Sequence, residues 1–197
     1  MKARPRLFVI SGPAGVGKGT RVARIRANRP AIELTVSATT RSPRPGEVEG
    51  VSYHYLSEEE FARRVDAGQF LEWAFVHGHR YGTLRSEVER RIAEGRSVIL
   101  EIDYQGAFNV RKAFPDAVLI FIEPPSIQEL ERRLRGRATE DEEQIELRLS
   151  DARHEISCGE RYDVRIVNDD VARATEELIA VIQRYEIDGG PINNVRC

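Results

Sequence analysis

The chain alternates short apolar runs with segments whose apolar residues recur every three or four positions. Leu7-Phe8-Val9-Ile10, ending in Ser11-Gly12, reads as a buried strand. Val22, Ala23, Ile25 and Ala27 among arginines then predict a helix. Further strands are predicted over Leu34–Ser37, Tyr53–Leu56, Phe70–Val76, Ser97–Asp103, Val118–Ile122 and Val164–Val167. Ser57 with Glu60 forms a capping-box pattern and Gly68 a stop signal, so a helix lies between them. Leu84–Glu94, closed by Gly95, reads as another helix. Ser126 with Glu129 and Thr139 with Glu142 repeat the capping pattern, and Ile127, Leu130 and Leu134 share one helical face. Val171, Ala174, Leu178, Ile182 and Tyr185 define an amphipathic last helix, and Glu186–Cys197 reads as a loose tail.

Strands alternating with helices predict an α/β fold, a parallel sheet flanked by helices. Residues 37–94 break that rhythm with shorter strands and aromatic residues, as expected of an inserted lobe. The arginine-rich stretch Arg132–Arg148 reads as a second, smaller mobile piece.

Composition narrows the class. The 197 residues fit one domain with insertions. Thirty basic and 32 acidic side chains leave a net charge of −2, which argues against a nucleic-acid or membrane-surface partner. Two cysteines, Cys158 and Cys197, are too few for a disulfide framework, so a cytoplasmic location is expected. No apolar run is long enough for a transmembrane helix, and Leu7–Ile10 is too short for a signal peptide. Only Lys2, Lys18 and Lys112 are lysines; every other basic residue is arginine.

One of those lysines closes Gly12-Pro13-Ala14-Gly15-Val16-Gly17-Lys18-Gly19-Thr20, which follows a strand and opens a helix. That is the context of a phosphate-binding loop. Its glycines let backbone N–H groups converge on phosphate oxygens, and the helix N-terminus adds partial positive charge. Lys18 can reach the outer phosphates, and Thr20 supplies the hydroxyl that usually directly follows the lysine. Asp103, ending a strand, would sit near this loop and either hold magnesium-bound water or touch a second substrate.

Ser37–Glu47 holds Arg41 and Arg44 in a proline-bounded loop suited to a phosphate. Tyr53 and Tyr81 could donate to the same group or simply pack. Glu72 is an acid inside an apolar strand, and alternation alone does not decide whether it points inward. Inward, it needs adjacent donors, which guanine supplies at N1 and N2 and adenine does not. Ser37 and Thr83 hydroxyls would complete such a site.

These stretches, with Phe70-Leu71-Glu72-Trp73, Tyr81-Gly82-Thr83, Glu101 to Gly106, Arg133 to Arg137 and Val167-Asn168-Asp169-Asp170, resemble the guanylate kinase family in family order. The resemblance implies a P-loop kinase fold with a core (1–36, 95–125, 156–190), a GMP-binding lobe (37–94) and a helical lid (126–155). It implies transfer of the ATP γ-phosphoryl group to GMP, and to dGMP, with Mg2+. By position, Gly12 to Thr20 would hold the ATP phosphates, with Thr20 on the metal and Asn168 near the adenine. Arg41, Arg44, Tyr53 and Tyr81 would hold the GMP phosphate, and Ser37, Glu72, Thr83 and Asp103 would read the guanine. Lys18, Arg41, Arg137 and Arg148 would supply catalytic charge. Ala14, His79 and Arg80 depart from the family pattern. Whether copies of the chain associate is left open.

The four histidines are not spaced as a metal site, and nothing resembles a nucleophile–base pair. Two other readings remain: a non-catalytic binding module built on the same fold, and a kinase for AMP or a sugar phosphate. The intact phosphate loop argues against the first. The Arg41–Arg44 loop with Glu72 argues against the second.

Overall fold

The structure, a computed structural model, describes residues 4–29, 31–76, 78–136 and 142–188. In chain order its first half comprises β1 (Leu7–Ser11), α1 (Lys18–Asn28), β2 (Glu33–Leu34), β3 (Ala38–Thr39), β4 (His54–Tyr55), α2 (Glu58–Asp66), β5 (Phe70–Val76), β6 (His79–Leu84) and α3 (Arg85–Ala93). Next come β7 (Val98–Glu101), α4 (Tyr104–Ala113), β8 (Val118–Glu123), α5 (Ile127–Arg135), α6 (Glu142–Ser157), β9 (Val164–Val167) and α7 (Val171–Asp188).

Five strands form an all-parallel sheet in the order β2-β7-β1-β8-β9. β1 is central and buried on both faces, so its apolar run needs no alternation with polar residues. Phe8 and Ile10 enter the core under α1, α5, α6 and α7, whereas Leu7 and Val9 enter the core under α3 and α4. This crossover pattern delivers the end of β1, and the glycine-rich loop after it, to the carboxyl edge of the sheet.

A second sheet, order β4-β3-β6-β5, carries its own small core of Ala38, Phe61 and Phe70. The Phe61 and Phe70 rings stack with centroids 4.4 Å apart. β5 and β6 are antiparallel, and their register shifts between Phe70 and Glu72. Phe70 opposes Leu84 and Glu72 opposes Thr83, so two steps on β5 match one on β6, a β-bulge. The bulge brings three successive residues inside. Phe70 serves the small core, Leu71 joins the main core beside Leu7 and Val9, and Glu72 turns to the space between the sheets. Trp73 and Phe75 are left outside, 40% and 60% exposed.

Ser57 and Ser126 cap α2 and α5, accepting from the N–H groups of Glu60 and Glu129 at 3.1 Å. Gly68 and Gly95 follow α2 and α3 with φ of +65° and +79°.

Several expectations are corrected. β2 is only Glu33–Leu34, because after Thr35 bonds Ile99 the chain leaves the parallel sheet for β3. β7 stops at Glu101, short of Asp103. β3, β6 and α4 were not anticipated. β6 reads as polar because one face lines a cavity rather than a core. The last helix runs to Asp188, so Glu186 is no part of a loose tail: it is buried, pairs with Arg29 at 2.8 Å and accepts from Ser97 at 2.6 Å. Thr139, proposed as a cap, and residues 189–197 lie outside the described residues.

Candidate active site

A cavity of about 550 Å³ lies between the two sheets and α6. Gly12, Ala14 and Lys18 line one end, and Ser37, Tyr53, Glu72 and Tyr81 the other. Asp103 lies between them.

At the loop end, Gly12, Gly15 and Gly17 have φ of +145°, +82° and +95°, a region L side chains avoid. A Cβ on Gly12 would also strike the Ile122 carbonyl. Gly17 immediately precedes α1, so the helix N-terminus opens onto the loop. Lys18 Nζ donates to the Gly12 carbonyl and, at 3.2 Å, to that of Pro13, curling over the loop. Gly19 and Thr20 are exposed in the first turn of α1, and Pro13 and Val16 are buried supports.

The loop is bracketed from the far end of the chain. Asn168 is 2% exposed, and both ends of its amide are used: Nδ2 donates to the Val16 carbonyl and Oδ1 accepts from Arg21. Arg21 also donates to the Gly17 carbonyl at 2.9 Å, and Arg133 to the Asn168 carbonyl at 3.1 Å. The Asn168 side chain therefore positions the loop and does not line the cavity.

At the other end, the cross-strand register sets Thr83 against Glu72, and the Thr83 hydroxyl donates to Glu72 Oε1 at 2.7 Å. Oε2 faces the start of α4, where a Cβ on Gly106 would approach it to 2.9 Å. Burial, with the nearby Asp103 charge adding to it and the Thr83 hydrogen bond opposing it, pushes the Glu72 carboxyl up to about 7. Asp103 is the N-cap of α4 and accepts from the Gly106 N–H at 2.7 Å. Its place beside Glu72 is thus fixed by a helix start, not by a strand end.

Tyr53 and Tyr81 meet edge to face with ring centroids 6.0 Å apart. The Arg41 guanidinium lies 5.4 Å from the centre of the Tyr53 ring. Arg41 lies beside these tyrosines without lining the cavity, and Arg44 is exposed and also outside the lining. Arg148 is half-buried on α6 and also outside the lining, and Arg137 is outside the described residues. Among the departures, Arg80 pairs with Glu58 at 3.3 Å and lies 5.9 Å from the Trp73 ring centre, which gives it a role on the lobe surface.

The cavity also holds side chains to which the sequence assigned no site role: Glu101, Tyr104, Gln105, Asp151, His154 and Glu155. Burial raises the Glu101 carboxyl, opposed by Lys18. Burial raises Glu155 to about 7, with Lys18 opposing and Asp103 and Asp151 reinforcing. The 151, 154 and 155 spacing of one helical face was the available signal, but only tertiary packing turns that face to the cavity.

A phosphate loop at the centre of a five-stranded parallel sheet, facing a separate sheet across a cavity, is a P-loop kinase fold. The crystal structure of guanylate kinase from Anaplasma phagocytophilum matches it with a TM-score of 0.77 at 34% identity, covering 95% of this chain and 89% of that one. The family model described as Guanylate kinase matches residues 4–185. The chain belongs to the guanylate kinase family. It is 48% identical over 188 residues to a guanylate kinase of Rubrobacter xylanophilus, covering 95% of this chain and 98% of that one. It is 51% identical over 176 residues to one of Synechococcus, covering 89% and 92%.

Proposed function

We propose that this chain transfers the γ-phosphoryl group of ATP to GMP, and to dGMP, giving ADP and GDP. The observation that carries this reading is one cavity lined both by Lys18 and its loop and by Glu72, whose carboxylate the buried Thr83 supports from outside the lining. Guanine presents two adjacent donors, N1–H and the 2-amino group. A carboxylate that already accepts from Thr83 still has lone pairs for both. Adenine has an acceptor at N1 and no 2-amino group, so it would leave the buried carboxylate unpaired.

The assignment of roles follows the cavity. The loop from Gly12 to Thr20 would hold the ATP phosphates, with Asn168 bracing it. Ser37, Glu72, Thr83 and Asp103 would read the base. Arg41, Arg44, Tyr53 and Tyr81 would take the GMP phosphate. With the acceptor oxygen and the γ-phosphorus aligned, transfer is direct and in line and needs no covalent enzyme intermediate. Lys18 stands at the loop, and Arg41, Arg137 and Arg148 would supply further cations where charge spreads over the transferring group. The segments 37–94 and 126–155 would act as GMP lobe and lid on the core, closing to exclude water that would otherwise hydrolyse ATP.

The exposed Thr20 hydroxyl, in the first turn of α1 beside Lys18, is an oxygen ligand suited to Mg2+ arriving with ATP. When bound, the ion neutralises charge on the phosphate oxygens. Among the described residues no helix is long and apolar enough to cross a membrane. We place the enzyme in the cytoplasm, acting on nucleotides and not on nucleic acid.

ADP release measured with ATP, Mg2+ and GMP, dGMP, AMP or UMP tests the reading. Turnover with GMP and dGMP, and little with AMP or UMP, is the expected result. Absence of GDP formation, together with no calorimetric signal on adding GMP, would overturn it. Preference for AMP would reassign the base site.

A further inference from the structure

The loop that carries Arg41 and Arg44 closes on a carboxylate to which the reading above gives no role. Glu47 accepts from Arg41 Nη2 at 2.9 and 3.0 Å, from the Arg44 backbone N–H at 2.8 Å and from the Tyr55 hydroxyl at 2.7 Å. The Arg41 side chain is 11% exposed and that of Glu47 21%. Arg41 Nη1 is held as well, donating to the Ser42 carbonyl at 2.7 Å. These contacts draw on the two terminal nitrogens and leave the guanidinium, with its five N–H donors, some to spare.

We propose that Glu47 is a positioning residue for the acceptor phosphate: with Tyr55 as its own support, it holds Arg41 and the Arg44 backbone in place before GMP binds. This rests on the assignment of Arg41 and Arg44 to that phosphate. Glu47 does not stand in the phosphate's place, because it engages Tyr55 and not the cavity-lining Tyr53 and Tyr81. Glu47 itself is no part of the cavity lining, while Arg41 also bonds the cavity-lining Tyr81. An unrestrained arginine would lose its rotamer freedom at the moment of binding; a pinned one has lost it already on folding. The electrostatics agree: Arg41, then the Arg44 N–H, hold the Glu47 carboxyl down to about 2, so the clamp stays ionised throughout the neutral range.

Steady-state kinetics of E47A, E47Q, Y55F and R41A, with guanosine as a competitive inhibitor lacking the phosphate, test the proposal. E47A is expected to raise the KM for GMP about 10- to 100-fold, the scale of a lost hydrogen bond to a charged group. The KM for ATP and the inhibition constant of guanosine should stay within about twofold, since neither touches this clamp. E47Q, whose amide oxygen still accepts from Arg41, should fall between, and Y55F should move the KM for GMP in the same direction by less. Unchanged or tighter GMP binding in E47A overturns the proposal. So does a parallel loss of GMP and guanosine binding, which would mark Glu47 as a support of the lobe alone. If R41A leaves the KM for GMP unchanged, the phosphate-site assignment itself fails. If R41A is impaired and E47A is not, only the role of Glu47 fails.

Discussion

The Thr83 hydroxyl donates to Glu72 Oε1 across the β5–β6 pair at 2.7 Å, and this contact helps hold a buried carboxylate facing the cavity. Its neighbours Phe70 and Leu71 pack into two different cores, so Glu72 cannot turn outward without disrupting both.

Glu72→Gln is expected to relax the choice of GMP over AMP. The amide offers one acceptor where the carboxylate offers two, and its NH2 opposes the guanine donors. A fall of about 10- to 100-fold in the ratio of kcat/KM values for the two acceptors is expected, as for a lost hydrogen bond to a charged group. Unchanged discrimination in the coupled assay removes Glu72 from base reading.

The Glu72 carboxyl stands near 7 in the free protein, and guanine requires its ionised form. Binding therefore draws that value down and releases a proton when it occurs below about pH 7. Calorimetry of guanosine, which has no phosphate to titrate, should show a binding heat at pH 6.5 that depends on the buffer's ionisation enthalpy. That dependence should vanish at pH 8.5 and in Glu72→Gln.

Lys18→Ala is expected to lower kcat by about three orders of magnitude or more while GMP still binds, because the lysine belongs to the donor end of the cavity. Stopped-flow or quench-flow measurement of single turnovers checks this. Near-normal turnover would refute the role.

Asn168→Ala leaves Arg21 and the Val16 carbonyl without their buried partner. A loss of about 1–3 kcal/mol of stability is expected, with a raised KM for ATP and a nearly unchanged KM for GMP. Urea unfolding alongside kinetics separates the two effects.

Glu155 binds its proton more tightly in the folded chain than in the unfolded one. Between about pH 4.5 and 7 the folded state therefore holds more protons, and stability falls as pH rises through that window. Glu155→Gln escapes the cost of a buried charge. Its Tm should exceed that of the parent by about 2–4 °C at pH 8, the size of a ~1 kcal/mol change in a chain this long. The difference should close by about pH 4, below both values, in scanning calorimetry.

The phosphate loop and the caps at Ser57 and Ser126 were legible along the chain because each depends on residues within a few positions of one another. Periodicity likewise showed most of the strand–helix alternation, though not β3, β6 or α4. The inward turn of Glu72 was not legible, since it depends on a bulge whose register is set by pairing with β6. Asp103 shows the same limit: its side chain caps a helix that the strand-like run before it concealed.

Tertiary structure alone decided the rest. Asn168 meets Val16 across 152 residues, and Glu155 reaches the cavity only because α6 packs over it. Such contacts join residues that share no local pattern, and their cost in chain entropy is offset only when the whole core forms. The one-dimensional sequence determined the glycine-rich, lysine-bearing turn between β1 and α1. The three-dimensional packing decided which carboxylates face the cavity and which arginine Glu47 holds.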